Sequence, residues 1–187
     1  MNKFGTFALN KQIIKALDYA KIINPTPIQN RIIPLIIRKS DVLGVAQTGT
    51  GKTAAYLLPL LHNITKHSTE YKKKSCKSIV IVPTRELADQ VSLVIKDISS
   101  YTEITSLKVI GGTNVSMCRE DLYKRPHIVI GTPGRVLDMI QRRYLFTENI
   151  ENIVLDEADE MLSYGFKDSI HDIIQRMPKT SQICLFS

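Results

Sequence analysis

Six short apolar runs, each separated from the next by a stretch of helical periodicity, constrain this chain more than any other feature. They are Val42 to Ala46, Ser78 to Val82, Leu107 to Ile110, His127 to Ile130, Asn152 to Leu155 and Gln182 to Phe186. Most are apolar without strict alternation, as expected of strands covered on both faces. Helical stretches fall between them, near 52–65, 85–100, 115–124, 135–142 and 166–177. Strand and helix taking turns predicts an α/β fold with a mostly parallel sheet, right-handed crossovers and helices on both faces. Two helices precede the first strand. One spans 9–20, where Leu9, Ile13, Ile14 and Leu17 form an apolar stripe, and one spans 27–38 after the Pro25 and Pro27 punctuation. At 187 residues the chain is read as one domain that buries its core without disulfides or metals.

The first strand runs directly into AQTGTGKT (Ala46 to Thr53), which then opens a helix. This is a P-loop pattern with Ala46 in place of the first glycine. Gly49 and Gly51 let backbone N–H groups turn toward phosphate oxygens, with Gln47, Thr48 and Thr50 supplying the rest of the loop. The helix start adds positive dipole. Lys52 is suited to the β- and γ-phosphates, and the Thr53 hydroxyl to magnesium. Such a loop also needs an acid at the end of a neighbouring strand. NIVLDEAD (Asn152 to Asp159) supplies Asp156 there, as a magnesium holder, and Glu157 beside it, as the group that orients and deprotonates a water. The competing reading of these acids is a cap for the helix that follows.

The net charge of +7 is uneven: residues 1–93 carry 14 Lys or Arg against 5 Asp or Glu, residues 94–187 carry 11 against 13. A basic surplus suits a polyanion, but Lys72, Lys73 and Lys74 read as one solvated loop inflate the total. The longest apolar runs, Ile32 to Ile37 and Ala54 to Leu61, contain prolines and fall short of the roughly 18 residues a membrane span needs. No apolar signal core follows Asn2 and Lys3. Cys76, Cys118 and Cys184 fit neither a disulfide framework nor a zinc site, so the expected setting is reduced and intracellular: cytoplasmic, with a nuclear one left open. His62, His67, His127 and His171 show no metal-ligand spacing. Met117, Met139, Met161 and Met177 read as helix-face residues.

With the Asp156-Glu157-Ala158-Asp159 tetrapeptide added, the chain resembles the N-terminal RecA-like domain of DEAD-box RNA helicases over essentially its whole length. PTPIQ (Pro25 to Gln29) resembles the core of that family's Q motif, AQTGTGKT its motif I, PTRELA (Pro83 to Ala88) its motif Ia, and DEAD its motif II. Gly111-Gly112 and TPGR (Thr132 to Arg135) resemble its next two RNA-contact motifs, and Phe186-Ser187 the start of its Ser-Ala-Thr motif. The resemblance implies ATP and Mg2+ as cofactors and RNA as a partner held without sequence preference. It implies that Gln29 reads the adenine edge and that Phe4 packs near the base, the alternative for Phe4 being a core phenylalanine. It implies an RNA path along Pro83, Thr84, Arg85, Gly111, Gly112, Thr132, Pro133, Gly134 and Arg135. Asp159 would couple motif II to the Ser187 hydroxyl. Tyr164 and Phe166 are read as packing the helix after motif II. The chain departs from the family at Lys21 and Ile22, where Gly-Phe is usual. It stops inside the Ser-Ala-Thr motif, so a second RecA-like domain with its arginine fingers is expected beyond these residues, and residues 1–187 alone are expected to hydrolyse ATP hardly at all. Alternative readings are a DNA translocase and a non-enzymatic clamp holding ATP and RNA.

Overall fold

The alternating pattern folds into one six-stranded sheet in which every pairing is parallel. The structure, a computed structural model, describes residues 3–47, 49–66 and 75–187. Thr48, His67 and Lys72 to Lys74 lie outside the described residues. The strands are β1 (Val42–Gly44), β2 (Ser78–Ile81), β3 (Ser106–Val109), β4 (Ile128–Gly131), β5 (Asn152–Leu155) and β6 (Gln182–Phe186), in the order β1-β6-β5-β2-β4-β3. The helices are α1 (Lys11–Tyr19), α2 (Pro27–Ile37), α3 (Lys52–Lys66), α4 (Arg85–Ile98), α5 (Val115–Tyr123), α6 (Pro133–Gln141), α7 (Ala158–Ser163) and α8 (Lys167–Gln175). This is the doubly covered parallel sheet of a RecA-like P-loop fold.

Period-two alternation within the apolar runs divides the core between the two faces. Val80, Val82, Ile128, Ile130, Val154, Cys184 and Phe186 face α1 to α4 and the 3-10 turn at Lys3–Phe7. Ile79, Ile81, Val129, Ile153 and Leu155 face α5, α6 and α8. A central strand therefore has no polar side to show, which is why these runs carry no alternation. The edges differ. In β1, Leu43 is 71% exposed, and Val45, expected in the same strand, has left it and is 74% exposed. β3 at the other edge buries only Val109 fully.

Helix starts follow local chemistry. The Asn10 carboxamide accepts from Gln12 N at 2.8 Å, so α1 begins at Lys11 rather than at 9. Thr26 and Gln29 form a reciprocal capping box at the start of α2. Two elements carry no periodic signal in the sequence, the 3-10 turn at Lys3–Phe7 and the six-residue α7. Lys77 is paired with Glu151 at 3.1 Å and its side chain is 16% exposed.

Register sets the functional end of the sheet. Ile81 pairs with Leu155, Leu155 with Leu185, and Phe186 with Gly44. The residues that follow, Val82, Asp156, Ser187 and Val45, therefore emerge together from the carboxyl ends of the strands, where open α/β sheets gather ligands. Gly44 is required at this crossing, since a Cβ there would stand 2.7 Å from the Phe186 ring.

Candidate functional site

Ala46 leaves β1 with its N–H donating to Ser187 O at 3.0 Å, and the chain then turns through Gly49 (φ +81°) and Gly51 (φ +89°) into α3. Both angles lie in the left-handed region where an L side chain costs about 1–2 kcal/mol. Among the described residues, a Cβ on Gly49 would meet nothing within 4 Å, so the loop is open there. A Cβ on Gly51 would stand 2.5 Å from the Gln29 amide nitrogen. Inside the loop the Thr50 hydroxyl donates to Gln47 O at 2.7 Å. Lys52 and Thr53 open α3 and are half-buried. An open turn of left-handed glycines at the start of a 15-residue helix, with an ammonium at its first residue, fits a chain of phosphates.

Asp156 is 3% exposed and follows β5 directly. Its N–H donates to Ile81 O at 2.9 Å, which fixes it at the strand end. Burial raises its pKa, although the Tyr56 hydroxyl and the Lys52 charge oppose the rise. The Tyr56 hydroxyl donates to Asp156 Oδ2 at 2.8 Å. Glu157 is held in the left-handed region at φ +55° as the residue before α7, a conformation that costs a non-glycine residue about 1–3 kcal/mol. Its side chain does not cap α7, so the capping alternative for this acid is not what the geometry shows. Burial, then the Glu160 and Asp156 charges, raise the Glu157 pKa, as suits a group that takes up a proton. Asp159 is exposed, and its carboxyl is held below the usual range first by a hydrogen bond with the Ser187 side chain. A magnesium ion bound mainly through phosphates and water needs only one or two carboxylates. Asp156 and Thr53 fit that demand, and among the described residues no larger cluster of His, Cys, Asp or Glu could hold a metal.

Gln29 is 5% exposed and already employed. Its Oε1 accepts from Thr26 N at 2.9 Å and its Nε2 donates to Gly51 O at 3.1 Å. One amide hydrogen and one lone pair remain, enough for one donor and one acceptor contact with a base edge. The residue thus ties α2 to the P-loop, a duty its sequence position did not reveal. Phe4 is fully buried with its ring edge-on to Phe7 at 6.1 Å, so it shows no face to a ligand. The placement is that of a core phenylalanine, because the 3-10 turn folds it under α1 and α3. Lys21, at the departure from Gly-Phe, adopts φ +58°, and Ile22 is 42% exposed.

A second concavity of about 430 Å³ opens on the carboxyl side of β2 and β4 and is lined by Pro83, Thr84, Arg85, Gly111, Thr132 and Phe166, with the acidic Glu86 at its edge. Thr84 caps α4, its hydroxyl accepting from Leu87 N at 3.1 Å. Thr132 precedes α6 with its hydroxyl not engaged as a cap. The Arg85 guanidinium lies over the Gly111–Gly112 turn: a Cβ on Gly112 (φ +83°) would stand 2.6 Å from it. Gly134 has open space around it. Arg135 Nη2 donates to Thr113 O at 3.1 Å, while its Nη1 is buried without a partner among the described residues. Pro133 is buried as the first residue of α6, a structural position. Phe166 both packs the core and lines the concavity. Tyr164 is 58% exposed rather than packed. Met117 is likewise 64% exposed, whereas Met139 and Met161 are fully buried.

The model of the DEAD/DEAH box helicase family matches residues 26–187. The chain belongs to that family. It is similar to the ATP-dependent RNA helicase CshA of Listeria monocytogenes, 44% identical over 187 residues, all of this chain and 35% of that protein. The DEAD-box ATP-dependent RNA helicase CshA of Bacillus cereus is 42% identical over 187 residues, 35% of its length. The ATP-dependent RNA helicase eIF4A of Neosartorya fischeri is 40% identical over 186 residues, 46% of its length. The chain thus spans between a third and a half of these relatives. Within this DEAD-box chain, the side chain that sequence reasoning missed is Tyr56. It sat inside the apolar run Ala54 to Leu61 and looked like one more core residue.

Proposed function

We propose that this chain is the ATP-binding half of an ATP-dependent RNA helicase. The observation that carries the reading is the convergence, at one end of one sheet, of the open left-handed P-loop, the buried Asp156 and the Arg85–Gly111–Thr132 concavity. The Gly49–Thr53 backbone and Lys52 would cradle the triphosphate, and Gln29 would read adenine with its spare hydrogen and lone pair. Thr53 and Asp156 would hold magnesium, which when bound neutralises charge on the phosphates. Glu157, with its raised pKa, would orient a water and take its proton. Thr84, Arg85, Gly111, Gly112, Thr132, Gly134 and Arg135 offer hydroxyls, guanidinium groups and open backbone, which suit the sugar-phosphate backbone and carry little sequence information.

The reading includes a second RecA-like domain in the parent protein, since the relatives are two to three times longer than this chain. That domain would supply the remaining positive charge at the γ-phosphate and the other half of the RNA contacts. Unwinding of short RNA duplexes belongs to the joined pair. We place the protein inside the cell. Its three cysteines are free and buried, and burial pushes the Cys76 and Cys184 thiols up to about 12, so both stay protonated and inert.

The test is RNA-stimulated ATP hydrolysis and duplex unwinding by the parent protein. RNA should stimulate hydrolysis far more than DNA, and Glu157→Gln should abolish turnover while leaving ATP binding intact. Equal stimulation by DNA, or full turnover in Glu157→Gln, contradicts the proposal.

A further inference from the structure

Tyr56 sits one turn after Thr53 on α3, fully buried, with its ring 5.1 Å from that of Phe186. A phenylalanine would fill the same space, and a buried hydroxyl costs free energy unless it is paired. Both partners of this hydroxyl are residues of the phosphate site. It donates to Asp156 Oδ2 at 2.8 Å, and the Thr53 side chain, one turn earlier on the same helix, acts on the same hydroxyl to lower its pKa against the rise that burial and Asp156 impose. Directions follow from the groups. An ionised carboxylate only accepts, so the single phenolic hydrogen goes to Asp156. The Thr53 contact is then a donation from Thr53 to the Tyr56 oxygen. One buried hydroxyl therefore joins the two side chains that the reading above assigns to magnesium.

We propose that Tyr56 is a positioning residue for the divalent cation: its hydroxyl orients the Thr53 hydroxyl and the Asp156 carboxylate as one preformed pair of ligands. The inference rests on the P-loop reading of the preceding section. A hydroxyl that coordinates a cation does so through an oxygen lone pair and must send its hydrogen elsewhere. Tyr56 gives the Thr53 hydrogen a fixed acceptor. Its own hydrogen engages Oδ2 of Asp156 at 2.8 Å, which holds that carboxylate oxygen in place. Partners of this kind, one bond removed from the metal, are worth about 10–100-fold in metal affinity.

The experiment uses the 187-residue chain, ADP and Mg2+, read by titration calorimetry at a series of magnesium concentrations and in excess chelator. Tyr56→Phe keeps the ring and so keeps the packing against Phe186. The expected result is that half-saturating magnesium for tight ADP binding rises about tenfold or more, while ADP affinity in chelator stays within twofold. Mn2+ replacing Mg2+ should show the same loss by paramagnetic resonance of the bound ion. If Tyr56→Phe lowers the melting temperature but leaves the magnesium half-saturation unchanged, Tyr56 is structural only and the proposal is overturned. Thr53→Val supplies a second arm: once its hydroxyl is gone, adding Tyr56→Phe should cost clearly less than in the wild type, and full additivity contradicts the shared arrangement. Failure of the wild-type chain to bind ADP in a magnesium-dependent way would overturn the P-loop reading itself, a result distinct from an unaltered Tyr56→Phe.

Discussion

Gly51 and Gly49 offer a matched pair of perturbations that isolates how the Q motif is tied to the P-loop. Both have positive φ, +89° and +81°. Alanine at either carries the left-handed backbone cost of about 1–2 kcal/mol. At Gly49 nothing else follows, because its Cβ would stand in open space. At Gly51 the Cβ would meet the Gln29 amide nitrogen at 2.5 Å and Thr26 Oγ1 at 3.4 Å. The amide is the flexible end of a side chain and can move, but moving it breaks its donation to Gly51 O and disturbs its acceptance from Thr26 N. Those two bonds contribute about 0.5–1.5 kcal/mol each. Gly51→Ala should therefore destabilise the nucleotide-free chain by roughly 2–5 kcal/mol, and Gly49→Ala by roughly 1–2. For a chain of this size each kcal/mol lowers the melting temperature by about 2–4 °C. Thermal unfolding followed by circular dichroism, without nucleotide, reads the difference free of any ligand effect. Adding Gln29→Ala should cost far less on the Gly51→Ala background than alone. Equal melting of the two glycine variants would refute the claim that Gln29 clamps the P-loop.

Three further outcomes follow from the site and its supports. In the parent protein, ATP hydrolysis should fall on the acid side as pH drops through a Glu157 pKa above the ordinary 4.5, since its base form is lost there, and Glu160→Gln should move that limb to lower pH; a limb indifferent to Glu160 contradicts the assignment. Arg85→Ala should weaken RNA binding about equally for unrelated sequences and reduce the salt slope of log affinity by about 1, measured by fluorescence anisotropy; loss confined to one sequence would contradict a backbone contact. Burial pushes the Glu151 carboxyl up, but Lys39 and Lys77 outweigh it and hold it below 4.5. Its stabilising effect is therefore present at neutral pH and lost as pH falls through that lowered value. Glu151→Gln should cost under about 1 kcal/mol in urea unfolding at pH 7 and converge on wild type in acid.

Much of this architecture was legible in the sequence because its signals are local. Apolar runs such as Ile79 to Val82 have no polar side, which is the mark of a strand covered twice. Asp156 ends such a run, and AQTGTGKT begins where another stops, so both ends of the phosphate site could be placed at the carboxyl edge. The strand order was not legible, because it depends on which crossover passes which face and not on any one segment. Nor was the exposure of Leu43 and Val45, whose apolar character matches a central strand while their place is the sheet edge. Phe4 was ambiguous because an aromatic near a terminus suits either a base or a core, and the fold buries it. Gln29 carried two signals at once: the same amide that suits adenine also completes a capping box with Thr26, and only the three-dimensional approach of Gly51 shows the third duty. Tyr56 was hidden by its neighbours. Its hydroxyl matters only because Asp156, 100 residues away, arrives beside it.

The measurement that bears most directly on the account is calorimetric binding of ADP and GDP, with Mg2+, to the 187-residue chain and its Lys52→Ala and Gln29→Ala variants. Gln29 has one hydrogen and one lone pair to offer, a pattern adenine can match and guanine cannot. The unpaired groups left against guanine cost about 1–3 kcal/mol, or roughly 5- to 150-fold in affinity. ADP should bind at least about fivefold tighter than GDP. Lys52→Ala should weaken both nucleotides, and Gln29→Ala should weaken ADP and erase the preference. Equal affinity for ADP and GDP in the wild-type chain, or ADP binding untouched by Lys52→Ala, would contradict it.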